Sequence, residues 1–215
     1  MAPDVKSEHW NRFWKAKMSS RFTRASWSKR RMMALLDGVV RPAMSVLDAG
    51  CGSGFFSRYF LDRGADVFSL DYSREALEIA RRSTENRCSA YLEEDLLAPA
   101  FGDRYSGRFD LIFTDGLFEH FSAQDQARIL DNFKRAKKPG GLIATFVPNR
   151  YSWWEVIRPL VMPGIQEEPF SLGGLLRLHA GLEIVESGGL NVLPLALSPE
   201  ALGPRLGMLL YCFAR

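Results

Sequence analysis

Three glycines, Gly50, Gly52 and Gly54, alternate with Cys51 and Ser53 directly after the run Val46-Leu47-Asp48-Ala49. Such a turn can cradle a phosphate, a dinucleotide, or a cofactor with no phosphate in contact. The dinucleotide fingerprint places its third glycine one position later, where this chain has Phe55, and no Lys-Ser/Thr pair makes a P-loop. The spacing suits a ligand whose backbone-contacting part is small and is not a pyrophosphate. Acids narrow the choice. Asp71 lies about twenty residues after the loop, where a carboxylate can accept hydrogens from both ribose hydroxyls. Asp95 and Asp115 follow the next two β-rich runs, so with Asp48 four acids gather at one edge. They repel an anionic phosphate ligand and favour a cationic nucleoside. Each acid alone is also what caps a helix, and only their joint placement beside the glycine turn points to a ligand.

The elements that must position these residues alternate. Strands are predicted over Ser45–Ala49, Asp66–Leu70, Cys88–Glu93, Phe109–Thr114 and Leu142–Val147. Helices fall over Phe55–Asp62, from Ser73 to Ser83 with Ser73 as N-cap, and over Ala123–Ala136, where Pro139-Gly140-Gly141 stops the pattern. Leu182–Glu186 and Met208–Ala214 suit a closing pair of strands, the last a candidate for antiparallel pairing. This alternation implies an α/β fold with right-handed crossovers and a mostly parallel sheet covered on both faces. The glycine turn leaves the first strand and enters the first helix, which is where ligands bind in open α/β sheets.

Composition limits the class. A chain of 215 residues with 47% hydrophobic residues can build a sizeable core. No stretch approaches roughly eighteen uninterrupted apolar residues, so no membrane span is expected. The opening Met-Ala-Pro-Asp-Val-Lys lacks the apolar core of a signal peptide. Cys51, Cys88 and Cys212 are odd in number and widely spaced, which disfavours a disulfide framework or a cysteine-rich metal site. A reduced, cytoplasmic protein is the expectation. The net charge of +3 hides an asymmetry: up to Ser45, ten bases face three acids, a local net of +7. Such an arm can bind nucleic acid or an anionic membrane surface, or simply be a solvated amphipathic helix.

The chain resembles the class I S-adenosylmethionine-dependent methyltransferases. The resemblance rests on Val46-Leu-Asp-Ala-Gly-Cys-Gly-Ser-Gly54, Leu70-Asp-Tyr-Ser73, Glu94-Asp-Leu96, Phe109-Asp-Leu-Ile112 and Lys138-Pro-Gly-Gly141, in order. Carried on those residues, it implies a Rossmann-like seven-stranded sheet of order 3-2-1-4-5-7-6, last strand antiparallel, with helices on both faces and an N-terminal helical arm. The arm would span 1–44 and the methyltransferase domain 45–215, with an aromatic lid insertion at about 149–170. The implied cofactor is S-adenosylmethionine. Gly50, Gly52 and Gly54 would let the backbone approach its methionine part, with Cys51 as a loop residue and not a nucleophile. Asp71 would hold the ribose, Tyr72 would lie against the adenine, Asp95 would face its amino group and Leu96 would cover the ring. Asp115 and Gly116 would approach the methionine amino end, and Asp48 would orient the loop.

Within the class, Gly116-Leu-Phe-Glu-His-Phe121 and Val147-Pro-Asn-Arg150 look most like the O-methyltransferases of ubiquinone biosynthesis. In that group a Glu-His pair and an earlier acid can bind a divalent metal. Glu119 and His120 match the pair, but Gly116 occupies the acid's place, so no metal is expected. His120 is the candidate catalytic residue, as the base that removes an acceptor's proton; the alternative is a histidine hydrogen-bonded at the next helix start. Glu119 is expected to raise its pKa or to face solvent. His9 is a remoter candidate, and His179 is expected on a helix surface.

Two aromatic stretches are candidates for the acceptor pocket. One is on the arm, with Trp10, Phe13 and Trp14 at helical spacing. The other follows the fifth strand, with Tyr151, Trp153, Trp154, Ile157, Leu160, Val161 and Met162. Trp10, Trp14, Tyr151 and Trp154 are the substrate-binding candidates, and the implied partner is a small-molecule acceptor, apolar or aromatic. Contact with a lipid surface stays open, as does oligomeric state. Nucleic acid is disfavoured because Asp115-Gly-Leu-Phe118 lacks the paired prolines of amino-nitrogen methylases and no Pro-Cys nucleophile is present. An RNA methyltransferase using the basic arm and a non-catalytic cofactor-binding protein remain as alternatives.

Overall fold

The computed structural model describes residues 10–11, 14–15, 25–161, 167–193 and 200–215. Its strands are β1 (Ser45–Ala49), β2 (Asp66–Asp71), β3 (Ala90–Glu93), β4 (Phe109–Asp115), β5 (Lys137–Pro148), β6 (Ile184–Leu190) and β7 (Leu209–Ala214). They form one seven-stranded sheet in the order β3-β2-β1-β4-β5-β7-β6. The first five run parallel, and β7 runs antiparallel to both β5 and β6. The order reverses between β1 and β4, so the carboxyl ends of these strands open a crevice there.

Alternation along each strand feeds two cores. Leu47, Leu70, Ile112 and Ile143 pack on one face against Ile129, Leu130 and Phe133 of the helix Ala123–Ala136 and Leu175 of the helix Leu172–Leu178. Val46, Val67, Phe113 and Phe146 pack on the other against Phe56, Tyr59 and Phe60 of the helix Phe55–Leu61. Met32 and Leu36 of the helix Trp27–Leu36 join that second core. Each such side chain stabilises the fold by about 1.5–3 kcal/mol when fully buried. Serines start two of the helices that leave the crevice. Ser73 Oγ accepts from Ala76 N at 3.3 Å, and Ser122 Oγ accepts from Asp125 N at 3.2 Å.

Three expectations need correction. Pro139-Gly140-Gly141 does not precede the fifth strand but lies inside it. Phe109 pairs with Lys137 and Leu111 with Leu142, so the turn-forming residues are absorbed as a bulge where Pro139 need not donate to the ladder. The third strand begins at Ala90, not Cys88, because its register against β2 starts at Phe68↔Ala90. His179 is buried, not on a surface. It caps the helix Leu172–Leu178 and bonds Thr145 Oγ1 of β5 and Leu175 O, each at 3.0 Å.

Candidate active site

The loop after β1 is tied to the end of β2 before any ligand arrives. Gly50 N and Cys51 N both donate to Leu70 O at 2.8 Å, and Gly52 N donates to Asp71 Oδ2 at 3.0 Å. The other Asp71 oxygen accepts from Ser73 N at 2.9 Å. Glycine is required at two points. Gly54 is the N-cap of the helix Phe55–Leu61 with φ +73°, and an added Cβ would lie 2.8 Å from the Ala80 backbone. Gly52 has φ +50°, and its Cβ would lie 2.7 Å from the Trp14 ring.

Asp48 is buried at the end of β1 and accepts from Ser57 Oγ at 2.5 Å, which in turn accepts from Ser69 Oγ at 2.7 Å. Asp48 therefore fastens the glycine loop to the following helix. Burial pushes its pKa to about 7, and raises Asp71 and Asp115 to about 6 against the charge-stabilising effects of Asp71's backbone donors and of Lys29 beside Asp115. Burial also holds the Cys51 thiol well above its ordinary value, so this is an inert loop residue. The Asp95 carboxylate accepts from Leu97 N at 2.8 Å, and Asn132 Nδ2 fixes the same turn by donating to Leu96 O at 2.7 Å.

The glycine loop up to Ser53 and the strand-end acids meet around one cavity of about 380 Å3, which Gly54, Ser57, Ser69, Ser73 and Asn132 support from behind without lining it. Asp48, Gly50, Cys51, Gly52, Asp71, Tyr72, Asp95, Leu96, Asp115, Gly116 and His120 line it, together with Trp10 and Trp14 of the arm. The arm is fastened there by Ser73 Oγ donating to Asn11 Oδ1 at 2.7 Å and by Lys15 pairing with Glu75 at 2.8 Å. Trp10 meets the His120 ring edge-on, centroids 4.8 Å apart, whereas Trp14 lies on the glycine loop. His120 sits in a short 3-10 helix, Phe118–His120, so it is held two residues before the Ser122 cap and is not itself that cap.

Other placements differ from the sequence expectation. Tyr151 is 64% exposed, and neither it nor Trp154 lines the cavity; no described residue of the helix Trp154–Val161 does. Glu119 does not face solvent; it is buried in the cavity wall. His9, Phe13 and Met162 lie outside the described residues.

Among the lining residues that the sequence reading did not name as site residues, Lys29 and Glu167 carry charge into the cavity from remote segments. Lys29 projects from the basic arm over the Phe55 ring at 4.0 Å, and burial lowers its pKa to about 8 against the pull of Asp115 and Asp48. Its signal was spacing: 29, 32 and 36 share a helix face, and Met32 and Leu36 are core. Glu167 also lines the cavity, and burial raises its pKa to about 7. Among the described residues no cluster of three or more His, Cys, Asp or Glu side chains is placed to hold a metal ion.

Comparison with known proteins places this geometry. A family profile described as a methyltransferase domain matches residues 46–141. The chain is 30% identical over 164 residues to a ubiquinone biosynthesis O-methyltransferase of Pseudomonas paraeruginosa, covering 70% of this chain and 69% of that one. This chain belongs to the class I S-adenosylmethionine-dependent methyltransferases. It is also 37% identical over 107 residues to a malonyl-[acyl-carrier protein] O-methyltransferase of Pseudescherichia vulneris, covering 50% of this chain but 39% of that one. The chain thus spans well under half the length of that relative. In fold it is similar to the N-methyltransferase NodS of Bradyrhizobium japonicum, solved with S-adenosyl-L-homocysteine, at a TM-score of 0.68 and 15% identity over 97% of both chains. S-adenosylmethionine is the cofactor of this class I family, and the cavity fits it. Buried carboxylates outnumber Lys29, the one Lys or Arg among its described lining residues, as a cationic nucleoside requires. Among the described residues, no helix is long and apolar enough to cross a membrane.

Proposed function

We propose that this methyltransferase acts on a small-molecule acceptor with an apolar or aromatic body, and that His120 takes the acceptor's proton. The observation that carries the reading is the shared cavity. The glycine loop and strand-end acids lie on one side, and Trp10, Phe55, Phe121 and His120 close the same space. A volume of about 380 Å3 falls in the range of small-molecule sites. Engagement of three of the five described cations of the arm supports this choice over a nucleic acid. Lys15 pairs with Glu75, Lys29 turns into the cavity, and Arg41 donates to Val40 O and Gly38 O at 2.8 Å.

Bound here, S-adenosylmethionine supplies an already activated sulfonium methyl. In this reading Asp71 accepts the ribose hydroxyls, Tyr72, Asp95 and Leu96 surround the adenine, and Asp115 and Gly116 receive the methionine amino end. Gly50, Cys51, Gly52 and Gly54 keep the backbone close to the ligand, while Asp48 holds the loop through Ser57. The chain's contribution to rate is then mostly orientation within a water-poor space, to which the Trp10 and Trp14 rings contribute by covering the cavity. His120 holds the proton released by an oxygen or nitrogen acceptor, since imidazole changes charge near neutral pH. Trp10 fixes the plane of that imidazole from its edge.

The test is a screen of phenolic, catecholic, amine and carboxylic acceptors with the purified chain and S-adenosylmethionine. The expected result is an acceptor gaining the mass of one methyl as S-adenosylhomocysteine accumulates. Tight cofactor binding without product across the panel would instead identify a non-catalytic binding protein. Methylation of RNA with salt-dependent binding would identify the arm as a nucleic-acid contact.

A further inference from the structure

Beside His120 the cavity wall carries acids that the cofactor cradle does not use. Glu119 is 2% exposed, and its Oε2 has no hydrogen-bond partner among the described residues. Its backbone oxygen accepts from Glu168 N at 2.8 Å, which brings Glu167 against it. Glu167 pairs with Arg158 at 3.5 Å, but the same guanidinium holds Glu155 at 3.3 Å. Glu155 Oε1 is likewise buried without a partner among the described residues. Two carboxyl groups therefore share Arg158, and Glu119 lies close enough to both to feel their charge. Burial first, then Glu167, raises the pKa of Glu119 well above its ordinary value. Glu119 and Glu167 both line the cavity, with Trp10, Trp14, His120 and Phe121.

A buried acceptor oxygen left without a donor is costly, and native structures rarely keep one that nothing satisfies. A cation in this corner would supply donors to Glu119, balance Glu167 and meet the negative faces of the aromatic rings. An ammonium favours the charged form of both acids against the upward pull of burial, whereas a carboxylate would add like charge to the corner. We propose that the acceptor carries an ammonium group that seats on Glu119 and Glu167 against the aromatic wall. This rests on the reading of the cavity as a methyl-transfer site. The ammonium is a handle and not the methylated atom, because a protonated amine has no lone pair to offer. A separate hydroxyl or neutral nitrogen on the same molecule receives the methyl.

The test uses the full chain saturated with S-adenosylhomocysteine, so that binding is read without transfer. Three probes share one phenol ring: tyramine carries an ammonium tail, 4-ethylphenol no charge, and 3-(4-hydroxyphenyl)propionate a carboxylate. Calorimetry should rank tyramine at least about tenfold tighter than 4-ethylphenol, with the carboxylate weakest. In the double variant Glu119→Gln, Glu167→Gln the tyramine advantage should fall below about threefold, while a melting shift with S-adenosylhomocysteine reports that the variant is folded. Equal binding of the three probes, preference for the carboxylate, no binding of any, or a preference that survives in the folded double variant would each overturn the proposal. Should the double variant fail to fold, the wild-type ranking still decides. Absence of turnover with every acceptor would count against the methyl-transfer reading and leave this ranking readable, so the two failures are distinct.

Discussion

The floor of the cavity between Ala49 and Phe55 is built from main chain, whereas the wall around His120 is built from side chains drawn from separate stretches of sequence. On the floor, Gly50 N, Cys51 N and Gly52 N are committed to Leu70 O and Asp71, and every residue involved lies within β1, β2 or the loop between β1 and its helix. On the wall, Trp10, Lys29, His120 and Glu167 converge only because the arm and the segment after β5 fold back over the sheet. A surface made of backbone needs particular residue types at fixed spacing. A surface made of side chains needs only that several remote residues point inward. The first is written locally in the sequence; the second is a property of the tertiary fold.

The difference predicts where substitutions act. Gly54→Ala should have the largest effect and should strike the fold itself. A left-handed non-glycine residue costs about 1–2 kcal/mol and overpacking against the Ala80 backbone about 1–3 more. Thermal unfolding should show a loss of about 2–5 kcal/mol, with cofactor binding weakened too; a wild-type melting temperature would mean that the loop tolerates a side chain. On the wall, His120→Ala should lower turnover by about a hundredfold or more while leaving S-adenosylhomocysteine affinity nearly constant. A variant that melts earlier yet turns over at the wild-type rate would make His120 a packing residue under Trp10. In that case orientation alone would carry the reaction. Asp71→Ala should still fold, less stably because Gly52 N and Ser73 N lose their acceptor, and should weaken the cofactor by about 1.5–3 kcal/mol by calorimetry. Unchanged affinity would move the ribose elsewhere.

Legibility followed the same division. The strand Ser45–Ala49 and the helix Ala123–Ala136 matched to the residue, because apolar spacing and a serine cap agree locally there. The cradle residues Gly50, Gly52, Asp71 and Asp115 could be named from spacing alone. Lys29 shares a helix face with Met32 and Leu36, but that spacing counts only once those two are known to face inward, because a lysine in a basic arm otherwise reads as solvated. Glu167 and the burial of Glu119 depend on a chain crossing, Glu168 N to Glu119 O, that no local pattern encodes. Tyr151 and Trp154 were aromatic in a promising segment, yet composition does not say that the described residues from Tyr151 through the helix Trp154–Val161 stay out of the cavity lining. His179 misled for a similar reason, its partner Thr145 lying on β5. The bulge in β5 hid because Pro139-Gly140-Gly141 carries a turn signal that sheet pairing overrode.

A smaller effect should appear in the pH dependence of stability, and it belongs to both walls. Asp48, Asp71, Asp115 and Glu167 all titrate higher in the folded chain than ordinary carboxylates, chiefly through burial. Between the ordinary carboxylate range and about pH 7 the folded state therefore binds more protons than the unfolded one, so stability falls as pH rises through that window. The ligand-free melting temperature should climb as pH drops from about 7.5 to 5.5. Asp37 and Asp110, whose pKa values are lowered by Arg63 and, against burial, by Lys138, oppose the trend at more acidic pH. Buried His179, whose pKa burial lowers, opposes it in the lower part of this window, where four carboxyl groups outweigh one imidazole. Cofactor affinity should move the other way, weakening below about pH 6 as Asp71 protonates. A melting temperature that drops over the same interval would show that these carboxylates are hydrated, and not buried, in solution.

The most direct check on the main-chain cradle is a thermal melt of the purified chain with S-adenosylhomocysteine and, separately, with NAD. At about a hundredfold above its dissociation constant, S-adenosylhomocysteine should add roughly 2.7 kcal/mol, a rise of about 5–10 °C for a domain of this size. NAD should add nothing, because Phe55 stands where a pyrophosphate-binding turn needs glycine. A shift with NAD and none with S-adenosylhomocysteine would contradict the account.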